Sequence, residues 1–296
     1  MYYKKKPGEV AFDTVNYIFM FLLMIVTLYP FIHMLATSFS ASKNLTGYRG
    51  FMFWPRGFSL EAYDRALNAS DTIKSFINSI FYVVTGTTIH ILLTLMGGYV
   101  LSRRDIYWKN FIVIFLVIPM YFGGGLIPTY LMVSNALHMR NTIWAIIIPG
   151  CIGTYNMILM RTNFQQIPIE MEESAIMDGA PHMRILFKIL LPLSLPIVSV
   201  LMLFHGVGLW NAWFGPAIYL TSRNLWPISL ILREVMISTE VRNPELVSGI
   251  SEVSRPYFVE TLKSAIAIIS IVPIIMVYPF LQKYFVKGIF VGAIKG

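Results

Sequence analysis

Long apolar runs separated by polar segments organise the whole chain. Six of them, at about 14–38, 76–101, 110–131, 143–161, 193–220 and 261–281, reach the length a helix needs to cross a bilayer. Helix is the form such runs must take, because lipid offers the backbone N–H and C=O groups no partner. Gly123-Gly124-Gly125 followed by Pro128 predicts a break in the third helix, and Pro216 predicts another near the end of the fifth. Two polar segments, 40–72 and 221–260, are long enough to hold structure of their own. In the first, Trp54-Pro55-Arg56-Gly57 leads into a short amphipathic helix from Ser59 to Tyr63. In the second, a helical stretch is expected near 228–238, followed by polar residues around Arg242-Asn243-Pro244. There is no 20–50-residue repeat, no low-complexity segment and no pair of inverted halves.

Composition turns this pattern into a class. Only 13% of the 296 residues are charged, 56% are hydrophobic and mean hydropathy is +0.65. A soluble domain carries about 25% charge, so the outside of this fold faces lipid. The expected fold class is all-α, a polytopic membrane protein with six transmembrane helices. Lys and Arg set its orientation. With the N-terminus inside, the cytoplasmic segments are 1–13, 102–109, 162–192 and 282–296. They hold Lys4, Lys5, Lys6, Arg103, Arg104, Lys109, Arg184, Lys188, Lys283, Lys287 and Lys295. Both termini are then cytoplasmic, and 14–296 forms one transmembrane domain. The net charge of +8 sits largely beside apolar segments, which points to anionic headgroups. Nucleic acid is disfavoured, because no basic stripe with interleaved aromatics occurs. Lys4 to Lys6 before an apolar run imitate a signal peptide. That run is too long and no small-residue cleavage site closes it, so it reads as an uncleaved first span. Cys151 stands alone, which excludes an internal disulfide or a thiolate metal site.

The most informative polar stretch lies between the fourth and fifth runs, about 163–192. It reads Ile167-Pro168-Ile169-Glu170-Met171-Glu172-Glu173-Ser174-Ala175-Ile176-Met177-Asp178-Gly179-Ala180-Pro181, and it ends at Ile189-Leu190-Leu191-Pro192. Pro168 suits a first helical turn. Glu170, Glu172 and Glu173 favour the helix N-terminus. Gly179 supplies a left-handed stop, and Pro181 starts a second helix. Ile169, Ser174, Ala175 and Ile176 give a small-residue apolar face. The pattern predicts a short helix projecting from the membrane and shaped to lie in a groove on another protein.

These residues resemble the EAA loop of ABC-importer permeases: Glu173-Ser174-Ala175, then Gly179, then Ile189-x-Leu191-Pro192 at the family's spacing. Ser174 replaces the family's middle Ala, a small-for-small change. Ile167-Pro168 and Asp178-Gly179-Ala180 look like the sugar-importer branch, and nearly the whole chain resembles the MalG-type permeases. The tail Gln282–Gly296 is similar to the C-terminus of those subunits. Gly124–Tyr130 and Leu225-Trp226-Pro227 look closest to a subgroup handling oligosaccharides or polysaccharide fragments. The resemblance implies a type I ABC-importer transmembrane domain in a bacterial inner membrane. It implies three kinds of partner: a second homologous permease, an ABC ATPase dimer reached by Lys287–Gly296, and an extracytoplasmic sugar-binding protein. It assigns ATPase coupling to Glu170, Glu173, Ser174, Ala175, Asp178 and Gly179. No Gly-x-x-x-x-Gly-Lys-Ser/Thr loop occurs. ATP and Mg are therefore expected on the partner ATPase subunits, with no cofactor in this chain, which is read as a transport subunit and not an enzyme.

A sugar pathway pairs polar groups with aromatic faces. The intramembrane candidates are Tyr155 and Asn156 on the fourth run, and His205, Trp210, Asn211 and Trp213 on the fifth. Interface anchoring of the Trp residues and interhelical bonds are the competing uses. His33 and His90 read as packing or helix–helix bonding groups. An importer of a non-sugar solute is the nearest alternative. An ion-coupled transporter would need carboxylates within the spans, and here they lie outside. An intramembrane enzyme or metal site lacks its cluster.

Overall fold

The computed structural model describes the backbone of residues 6–48, 50–68, 70–103, 106–237 and 255–293, and the side chains of these except Ser70 and those beyond residue 279. Lys4, Lys5, Arg104, Lys295 and the Arg242-Asn243-Pro244 stretch lie outside the described residues, as do the side chains of Lys283 and Lys287. The described residues are helical. Their one strand-like contact is an antiparallel bridge between Ser40 and Phe58.

The first, second and sixth apolar runs form long helices: α1 (Pro7–Ser38), α3 (Ser70–Ser102) and α14 (Arg255–Ala293). All three are long and apolar enough to cross a membrane. None of α1's apolar window is buried, so its side chains are available to lipid. Between α1 and α3 lies the amphipathic α2 (Glu61–Asn68), two residues later than its expected start.

The third run breaks where its glycines predict. α4 (Lys109–Tyr121) and α5 (Leu126–Leu131), which a π-turn extends to Ala136, meet at 113°. Gly125 takes φ +84° at the corner, a conformation open to a residue without Cβ. The fourth run departs from the expected single helix. α6 (Trp144–Ile147), with a 3-10 turn over Ile148–Gly150, is separated from α7 (Thr154–Gln165) by an unwound Cys151–Gly153. Pro149 has no N–H to donate, and Gly150 and Gly153 unwind at little cost.

The hairpin helix α8 (Ile169–Met177) follows. The fifth run then starts early, with α9 (His182–Ile185), a π-turn and α10 (Leu191–Leu193). α11 (Leu195–Asn211) leaves this segment at 87°, between Pro192 and Pro196. The second break of the run precedes the proline expected to cause it. The chain unwinds at Ala212-Trp213, and Pro216 sits in the first turn of α12 (Phe214–Tyr219), where its missing N–H costs nothing. α13 (Ile228–Ile237) fills the expected 228–238 stretch. Among the described residues, three helices qualify as spans, or five if each bent pair counts as one.

The chain divides into two compact units, Met1–Ser70 with Glu234–Ile271, and Asp71–Arg233 with Val272–Gly296. In the first, Ala36, Leu45 and Met52 are buried, with Tyr48 and Tyr257 packed against them. Burial pushes the Tyr63 phenol of α2 above its usual pKa, and a 2.8 Å hydrogen bond with Ser38 Oγ opposes the shift. In the second, the largest described core joins Leu95 and Tyr99 of α3, Met160 and Phe164 of α7, Ala175 of α8, and Ile185 and Leu190 beyond it. The hairpin is thus built on the end of the α3–α7 pair. Those two helices approach closely at Gly98, where a Cβ would stand 2.9 Å from Met160 Cβ.

Candidate functional site

The α8 hairpin is closed by backbone bonds of two kinds. Ala180 N–H donates to Ala175 O and Gly179 N–H to Ile176 O, both at 2.9 Å. With Gly179 at φ +74°, this is a Schellman stop. Pro181 then caps α9 in extended conformation. Glu170, Glu173, Ser174, Asp178 and Gly179 are exposed, and Met177 is 86% exposed. Ala175 behaves differently from its expected use at a partner's groove: it is 8% exposed and packs in this chain's own core. The helical repeat explains it. Residues 172 and 175 share the face turned toward α3, and the small Ala lets α8 lie close to its own scaffold.

A polar cluster fastens that inner face, and single positions in the sequence give no sign of it. Glu172 in the first turn of α8 pairs with Arg103 at the end of α3. Each charge therefore lies at the pole of its own helix that favours it. Tyr99 Oη donates to Glu172 Oε1 at 2.8 Å and lies 3.0 Å from His182 Nδ1 and 3.4 Å from Arg103 Nη1. With the Tyr99 proton on Glu172, His182 Nδ1–H and Arg103 donate to the two lone pairs of the hydroxyl, which fills its capacity. A cavity of about 620 Å³ opens beside the cluster, lined by Arg103, Gln165, Ile169, Glu172, Glu173 and Ile176 among others.

The second polar centre forms at the break between α6 and α7. His90 of α3, 1% exposed, donates from Nδ1 to the freed carbonyls of Gly150 (3.2 Å) and Cys151 (3.0 Å). Its Nε2 accepts from Asn156 Nδ2 at 2.8 Å. The His205 ring stacks on it, centroids 3.8 Å apart and 3° from parallel. Gly153 makes room, since a Cβ there would stand 2.9 Å from His90 Cε1. Two candidate pathway residues, Asn156 and His205, are thereby engaged with His90. Tyr155, the third on this side, is 59% exposed. Of the three, it is the one presented outward. Among the described residues, no group of three or more His, Cys, Asp or Glu is placed to hold a metal ion.

The remaining candidates surround the break between α11 and α12. Trp210 is buried, edge-on to Phe76, while Asn211 at the helix end is exposed. The freed carbonyl of Ala212 accepts from Ser229 Oγ of α13 at 2.7 Å. Also from α13, the Arg233 guanidinium lies 3.3 Å above the half-buried Trp213 ring. Trp210 further lines an apolar crevice of about 540 Å³ with Val83 and Thr87 of α3 and Pro273 and Val277 of α14.

Residues 90–291 match the model of the family described as binding-protein-dependent transport system inner membrane component. The polygalacturonan/rhamnogalacturonan transport system permease protein YtcP of Bacillus subtilis (strain 168) is 35% identical over 96% of this chain and 98% of its own length. A chain in the crystal structure of a bacterial ABC transporter involved in the import of the acidic polysaccharide alginate aligns with TM-score 0.89 and 30% identity. That match covers 96% of this chain and 100% of the other. A second chain, from bacterial alginate ABC transporter in complex with alginate pentasaccharide-bound periplasmic protein, shares the fold at TM-score 0.56 and 14% identity, over 93% and 94% of the two chains. With its helices, its hairpin and these matches together, the chain belongs to the inner-membrane components of binding-protein-dependent transport systems.

Proposed function

We propose that this permease is one of two homologous channel-forming subunits of an importer for oligosaccharides or polysaccharide fragments, driven by a separate ATPase dimer. In this reading six spans cross the inner membrane with both termini cytoplasmic, and a sugar-binding protein delivers substrate from outside. Two of the more similar proteins are named for acidic glycans, polygalacturonan and alginate, which carry a carboxylate on each uronate unit, while relatives at 24–26% identity are named for neutral arabinooligosaccharides and diacetylchitobiose.

The observation that carries the coupling role is the division of α8 into two faces. Its inner face, Glu172 and Ala175, is tied to α3. Its outer face offers Glu170, Glu173, Ser174 and Met177, with Asp178 at its C-cap. Such a helix passes a push from an ATPase groove into the membrane helices, where it shifts a two-state equilibrium between inward-facing and outward-facing forms.

The lone, buried Cys151 permits a clean test. Met177→Cys should cross-link to a cysteine placed in the groove of the cognate ATPase, with a yield that changes when ATP is added. Gly179→Pro removes the φ +74° stop and should abolish uptake while membrane insertion persists. Absence of any Met177 cross-link across a scan of the groove, with Gly179→Pro transporting normally, would refute the coupling role.

A further inference from the structure

We infer that Arg233 on Trp213 forms a uronate-recognising contact where substrate enters the membrane pathway; this rests on the sugar-importer reading above. Among the described arginines placed near aromatic rings, Arg65 is paired with Glu61, Arg103 with Glu172 and Arg223 with Asp71, whereas Arg56, over Tyr48, and Arg233 meet a ring without a carboxylate. Of these two, Arg233 is the one beside an opened helix. Its contact among the described residues is the ring of Trp213, 3.3 Å from the guanidinium carbon to the ring centre. At that distance the guanidinium lies flat on the indole and its N–H edges project sideways. A planar fork with free edges matches a carboxylate in two-point geometry. The aromatic face holds the fork in place, so little rotamer freedom is lost when an anion binds.

The position suits such a task. Trp213 sits in the unwound turn between α11 and α12, and the exposed Asn211 stands two residues before it. The turn is held by Ser229, one helical turn before Arg233 on α13. An exposed amide and an oriented cation next to an opened helix supply what a uronate presents: a hydroxyl and a carboxylate. A neutral hexose offers the fork only hydroxyl oxygens, which are weaker acceptors than a carboxylate and meet it at a single point, so the contact discriminates by charge.

The test uses the assembled transporter in proteoliposomes with its binding protein, and compares uptake of trigalacturonate with uptake of neutral galacto-oligosaccharides. Arg233→Gln should raise the apparent KM for trigalacturonate at least tenfold, as loss of a charge-assisted contact does. It should leave neutral uptake and basal ATPase activity within about twofold of the parent. Arg233→Lys keeps the charge without the fork. It should show a smaller loss, again on the acidic substrate only, and it carries the test if the Gln variant fails to assemble. Equal loss on acidic and neutral substrates, or no loss on trigalacturonate, overturns the inference. Wild-type uptake of neutral oligosaccharides alone would overturn it while leaving the sugar-importer reading intact. Uptake of neither would overturn both.

Discussion

Replacing Tyr99 with Phe removes one oxygen and leaves the ring in the core. The oxygen is the junction that joins α3 to the hairpin, since it donates to Glu172 and lies within hydrogen-bond reach of His182 and Arg103. A hydrogen bond to a charged acceptor contributes about 1.5–3 kcal/mol net. Taking about 2 kcal/mol, local opening of α8 should become about 30-fold more frequent, at 1.4 kcal/mol per tenfold. Ala175 and Ile185 stay buried in Tyr99→Phe, so the hairpin should loosen without the core unfolding. Glu172→Ala should act more strongly. It removes the carboxylate paired with Arg103, whose side chain is 18% exposed, and a guanidinium cannot shed its charge in response. The assay is amide hydrogen exchange across Ile169–Met177 in the purified complex, with α11 as an internal reference. Exchange within about twofold of the parent in both variants, or a larger effect from Tyr99→Phe than from Glu172→Ala, would refute the idea that this cluster fastens α8.

Two further outcomes follow from close approaches. Gly98→Leu must force α3 from α7, because even a Cβ meets Met160 Cβ at 2.9 Å and the Arg161 backbone nitrogen at 3.2 Å; a cost of about 1–3 kcal/mol is expected, visible as a lower melting temperature of the purified subunit, whereas Gly8→Leu, with nothing within 4 Å, should be silent. Asn156→Leu leaves His90 Nε2 without the donor seen at 2.8 Å; stability should fall by about 1–3 kcal/mol while the apparent KM for sugar stays constant, and a KM change at unaltered stability would return Asn156 to the substrate pathway.

The parts of this structure legible in the sequence are those whose causes are local. A 20-residue apolar run must be helix wherever it lies in lipid, so α1, α3 and α14 follow from composition alone. The hairpin is equally legible, because Pro168, Gly179 and Pro181 act on their own backbone. Where a cause lies far along the chain, sequence order hides it. His90 looks solitary until Asn156, 66 residues away, and His205 arrive beside it. Glu172 looks like one more acid at a helix start until Tyr99, 73 residues away, donates to it. The same limit moved Ala175: a small face shows that something packs closely, without showing whether the neighbour is a foreign groove or this chain's own core.

The positions of two helix breaks, between α6 and α7 and between α11 and α12, share this origin. Glycine and proline make unwinding affordable over a stretch of several residues, but the carbonyls it frees must find donors inside the membrane. The chain unwinds at Cys151–Gly153, where His90 Nδ1 reaches the carbonyls of Gly150 and Cys151. It unwinds again at Ala212, where Ser229 Oγ reaches the carbonyl, and not at Pro216. Apolar packing cannot select these points, because lipid satisfies an apolar surface as well as another helix does. The polar partner chooses the residue at which the helix opens. In this permease these two breaks therefore each carry a matched donor from another helix, and the second lies beside the Trp213–Arg233 pair proposed to meet a uronate.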